Sequence, residues 1–87
     1  MGKALRLLHL EDQENDALLL LFELERIGYE VAWERVQTGD AMLSALARRQ
    51  WDTIISDFAM PQFSARDALN LCREHGIEIP LIIVSGT

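Results

Sequence analysis

The sequence holds one cysteine, Cys72, so the chain forms no internal disulfide and carries no thiolate cluster for a metal. Its expected place is a buried position on a helix. Lysine is as scarce: Lys3 is the only one, and among 8 basic residues set against 14 acidic ones the sole basic pair is Arg48-Arg49. A formal net charge of −6 without a basic patch argues against nucleic acid as a partner of this segment and favours a cation or a basic protein. No apolar run approaches the roughly 20 residues that span a bilayer, the longest being Ala17 to Phe22. Met1-Gly2-Lys3 opens no export or anchoring signal, so the expected setting is soluble and cytoplasmic, without a membrane. Repeats, linkers and low-complexity tracts are absent, and 87 residues predict one domain at most.

What the chain has in quantity is apolar residues, 49% of the total, in short runs alternating with amphipathic stretches. Leu5 to Leu10 is nearly continuous, the pattern of a strand covered on both faces, and it stops at Glu11-Asp12. Residues 14–27 carry a helical stripe of Ala17, Leu20, Leu21, Leu24 and Ile27, with Gly28 as its stop and Asp12 or a neighbour expected to cap its start. Leu18, Leu19 and Phe22 lie off that stripe, so the helix is apolar around more of its circumference than one sheet contact requires. Residues 29–36 alternate polar and apolar as an edge strand does, and Thr38 or Asp40 is placed to cap a second helix from about Ala41 to Arg49. Thr53-Ile54-Ile55 reads as a buried third strand, with Trp51 closing the junction before it. A third helix is expected over 65–75 on Ala68, Leu69 and Cys72, ending at Gly76, and Ile79 to Val84 is a fourth apolar strand. Four strands alternating with three helices predict an α/β domain with a doubly wound parallel sheet.

In such a sheet ligands bind outside the carboxyl ends of the strands. Glu11 and Asp12 follow the first strand, Asp57 the third and Ser85 the fourth. If strands one and three are neighbours, three carboxylates converge. Unit charges about 4 Å apart repel by roughly 4 kcal/mol at an effective dielectric of about 20, so the cluster demands a cation or a raised pKa. Mg²⁺, with its preference for oxygen donors, fits direct contact from Asp12 and Asp57 and an indirect role for Glu11. Beside it Asp57 can act as a nucleophile toward a phosphoryl group, with the Ser85 hydroxyl placed to meet a phosphoryl oxygen.

Taken together, Glu11-Asp12, Asp57 with Met60-Pro61, and Pro80 through Ser85 resemble the receiver domain of two-component response regulators, over essentially residues 5–87. The resemblance implies a flavodoxin-like strand order 2-1-3-4-5 and a phosphoryl group passed to Asp57 from a histidine kinase or phosphotransfer protein. It also implies a metal pocket of Glu11, Asp12 and Asp57 with the backbone carbonyl of Ala59, and Ser85 as a switch hydroxyl. Such a module is a phosphorelay phosphoprotein rather than an enzyme, assisting only its own aspartyl phosphorylation. Ala65 stands where the family usually has glycine, and Gly86 follows Ser85 where alanine is common; neither removes chemistry. The family's fifth strand, with its phosphate-binding lysine, and its last helix would fall beyond Thr87. Residues 1–87 are therefore expected to be the N-terminal part of a receiver, an incomplete one. The fourth strand is then an open edge and the outer side of the first helix uncovered, which predicts self-association through one of them or membership of a longer protein.

The alternative is an interaction or dimerisation module of the same fold that is never phosphorylated. A Mg²⁺-dependent phosphohydrolase is a third reading, but it needs a general acid near Asp57, typically an aspartate two residues on, where Ala59 stands. Singly, Glu11-Asp12 reads as a helix-capping turn and Ser85 as a strand-end hydroxyl; the constellation gives them weight. His9 reads as a core histidine sharing a strand face with Glu11. His75 complements a helix dipole, and Trp33, Trp51, Met42 and Met60 are expected to pack.

Overall fold

Strand β1 (Lys3–Leu10) passes from solvent into the interior, its first residues largely exposed and Leu7 to Leu10 buried, as a run apolar on both faces requires. The structure, a computed structural model, describes residues 2–84. In it β1 pairs in parallel with β2 (Tyr29–Val36) on one side and with β3 (Thr53–Asp57) on the other, and β4 (Leu81–Val84) lies parallel beyond β3. The order is β2-β1-β3-β4. Three helices, α1 (Glu14–Arg26), α2 (Gly39–Arg48) and α3 (Ala65–Glu74), connect successive strands, so the chain is an α/β sheet protein as its pattern predicts.

Side chains alternate across a strand, and the alternation divides the interior in two. Leu8, Leu10 and Ile54 join Met42 and Ala45 of α2 and Ala68 and Cys72 of α3 in the larger cluster. Leu7, His9 and Ile55, buried on the opposite face, are left to α1, whose one fully buried residue is Ala17. One face is thus closed by two helices and the other by one. The inner stripe of α1 is as expected, and so is the exposure of Leu18, Leu19 and Phe22, the last two at 65% and 63%. Ile27 is not part of that stripe: the helix ends at Arg26 and Ile27 is 63% exposed.

Helix ends follow local chemistry. The Thr38 hydroxyl accepts from the Ala41 amide at 3.1 Å, so α2 starts at Gly39, two residues before the expected point. Ser64 and Asp67 form a reciprocal capping box on α3. The cap position expected at Asp12 or a neighbour falls on the neighbour, Gln13, but it makes no side-chain cap bond, because its longer amide is a poor N-cap and Asp12 sits one residue too early. Gly28 and Gly76 follow α1 and α3 with positive φ, 109° and 64°, the stops their positions predict. The Trp51 indole donates to the Ala45 carbonyl at 3.0 Å and closes the junction between α2 and β3. Strand β4 starts at Leu81 rather than Ile79, since Pro80 has no N–H for the ladder, although its carbonyl accepts from Ile54 at 2.9 Å. Among the described residues no helix is long and apolar enough to cross a membrane.

Candidate metal centre

Because all four strands are parallel, their carboxyl ends share one rim of the sheet, and the adjacency of β1 and β3 brings the predicted carboxylates together there. Asp57 is the last residue of β3, opposite Val84 in the β4 register. Glu11 follows β1 directly; its amide donates to the Val36 carbonyl at 3.1 Å, and its carbonyl accepts from Arg35 Nη1 at 3.2 Å. Carboxylate oxygens of Glu11, Asp12 and Asp57 all lie within 4.8 Å of one another, with Glu11 buried and the other two half-buried. The convergence inferred from the strand ends is therefore present.

Its electrostatics are those of a crowded acid cluster. Burial, then the negative charge of Asp57 and a hydrogen bond with it, push the Glu11 carboxyl up to about 7. The Asp12 amide donates to Glu11 Oε2 at 3.0 Å, and the Ala59 amide approaches Asp57 Oδ1 at 3.5 Å. His9, 3% exposed as a core histidine should be, has its pKa lowered by burial, opposed by Asp57 and helped by Arg35. Two clefts border the cluster. One of 260 Å³ lies on the α1 side, lined by His9, Glu11, Asp57, Leu19 and Val84; the other, of 330 Å³, lies between Asp12, Thr38 and Pro61.

Three oxygen donors with no sulfur or imidazole among them suit a hard divalent cation of the Mg²⁺, Ca²⁺ or Mn²⁺ class. Ala59 is exposed next to Asp57. Ser85 lies outside the described residues. Lys3 begins β1 at the opposite rim, away from the cluster, as its sequence position implies. The residue that sequence reasoning passed over is Arg35, whose guanidinium reaches the end of β1 from the neighbouring strand. The only signal for it was a cation near the end of a strand otherwise read as a solvated edge. No family model matches the sequence, and no curated protein matches it.

Proposed function

We propose that the chain is a phosphoacceptor module of the receiver type, acting in the cytoplasm and taking a phosphoryl group onto Asp57 from a histidine kinase or phosphotransfer protein. The observation that carries the reading is the meeting of Glu11, Asp12 and Asp57 at adjacent strand ends, with Glu11 pushed toward neutrality by its burial and then by the charge of Asp57. The strand order supports it, since β2-β1-β3-β4 is the first part of the flavodoxin-like order 2-1-3-4-5. In this reading an Asp57 carboxylate oxygen attacks phosphorus of the donor, the bond from phosphorus to the donor's imidazole nitrogen breaks, and that nitrogen keeps the electron pair and takes a proton from water. Asp12 and Asp57, with the Ala59 carbonyl, are the groups that would hold Mg²⁺ directly, and Glu11 would take an indirect part. Bound there, Mg²⁺ supplies the positive charge that offsets the transferring oxygens. Ser85 gives its hydroxyl to a phosphoryl oxygen.

Incubation with Mg²⁺ and a small acyl phosphate is expected to add one phosphoryl mass, stable in acid and lost in base, which Asp57→Ala abolishes. Absence of the adduct from the unaltered chain, and from one extended past Thr87, sinks this reading.

The second reading, an interaction module without phosphorylation, draws on the uncovered apolar surface. Leu18, Leu19 and Phe22 on α1 and Ile82, Ile83 and Val84 on β4 are all more than a third exposed. Surface of this kind marks contact sites, and an apolar edge strand pairs readily with another chain. Sedimentation over a range of concentrations is expected to show reversible association through β4 or α1. A single monomeric species at the highest concentration counts against it.

A further inference from the structure

Resting on the metal reading above, we infer that Arg35 is a positioning residue for the cation cluster: it fixes the backbone that carries Glu11 and Asp12 without touching the ion. The pairing of β1 with both neighbours ends at Leu10, opposite Val36 and Ser56, so Glu11 and Asp12 lie past the ladder on a free turn. Two bonds hold that turn to β2, the Glu11 amide to Val36 at 3.1 Å and the Arg35 guanidinium to the Glu11 carbonyl at 3.2 Å. Arg35 thus prolongs the ladder by one residue with a side chain. Its choice of partner is informative. Each of Arg6, Arg26 and Arg48 pairs with a carboxylate, whereas Arg35, half-buried and bonded at the turn that carries Glu11 and Asp12, spends its hydrogen bond on a carbonyl. A guanidinium placed to neutralise the cluster would form the stronger, charge-assisted bond to a carboxylate. One placed to fix the turn is bonded as this one is.

Charge and position make opposite predictions for metal binding. By Coulomb's law, removing a cation near the site tightens the hold on a dication. Freeing the turn loosens it, because two of the three oxygen donors sit there, and groups that orient ligands are worth roughly tenfold or more in metal affinity.

The test is Mn²⁺ binding to the whole chain, followed by electron paramagnetic resonance, together with amide exchange at Asp12 and Gln13 without metal. Arg35→Met, which keeps the apolar stem, is expected to bind Mn²⁺ about tenfold more weakly and to exchange faster at those two amides. Arg35→Lys, with charge and one donor kept, recovers most of both. If Arg35→Met does not fold, Arg35→Gln takes its place. Mn²⁺ bound equally or more tightly by the charge-removing variant overturns the inference while the metal reading stands. No Mn²⁺ bound by the unaltered chain overturns the metal reading, and this inference falls with it.

Discussion

Asp57→Asn is expected to make the chain more stable near neutral pH while removing its response to Mg²⁺. Glu11 in the folded chain loses its proton near 7, whereas an unfolded glutamate does so near 4.5. Between those values the native state holds more proton than the unfolded one, so stability falls as pH rises from about 4.5 to 7 and levels off above. At about 1.4 kcal/mol for each pH unit between the two values, and discounted for the solvent that reaches the cleft, the loss is on the order of 2 kcal/mol. Asparagine at position 57 removes the charge of Asp57, so Glu11 ionises at lower pH and the part of that loss that Asp57 causes disappears, while the part that burial causes stays. Urea midpoints at pH 5 and pH 7.5 measure the difference. For the unaltered chain the midpoint should fall between the two pH values and be restored by millimolar Mg²⁺, more fully at the higher pH, because a ligand that binds only the native state raises its stability. For Asp57→Asn it should fall less between the two pH values and not respond to Mg²⁺. An unaltered chain equally stable at both pH values would remove the electrostatic basis of the cluster.

Ile54→Ala is expected to cost roughly 2–5 kcal/mol, against a total stability of about 4–13 kcal/mol for a chain of this length. Ile54 is fully buried on β3, between Leu8 and Leu81 in the sheet register and within the cluster shared by α2 and α3. Truncation removes three methyl or methylene groups where helices close the face and little can collapse to fill the space. The same change at Ile82, on β4 and 49% exposed, should cost far less, since much of that side chain already meets water. Equilibrium unfolding of the two variants checks the contrast. Similar losses at both positions would mean that the α1 face is better covered than the exposures indicate.

The alternation of strands and helices was legible because each apolar run has one period, and Gly28, Gly76 and Pro80 punctuate them. The acid cluster was legible for a topological reason: parallel strands put every carboxyl end on one rim, so Glu11, Asp12 and Asp57 needed only the adjacency of β1 and β3 to meet. What the sequence hid depends on the third dimension. Arg35 reads as one polar residue of an alternating edge strand, and its bond to the Glu11 carbonyl spans 24 residues of chain. The start of α1 at Glu14 was legible, but its side-chain cap was not, because Asp12 has the composition of a cap but not the position of one. Ile27 continues the apolar spacing past the point where the helix ends.

In a sheet of this topology each helix begins just after a strand ends, so all three helix starts face the rim that carries the carboxylates. Two of them are latched, α2 by Thr38 and α3 by Ser64 with Asp67. The start of α1 has no latch, only the backbone bond from Ala17 to Gln13 and a first turn that is itself acidic. Slack at the rim is therefore concentrated in one helix, and Glu11 and Asp12 stand three and two residues before its first residue. That helix also bears Leu19 and Phe22 on its outer side. A change of charge in the cluster and a change in what the surface offers would then move on the same lever.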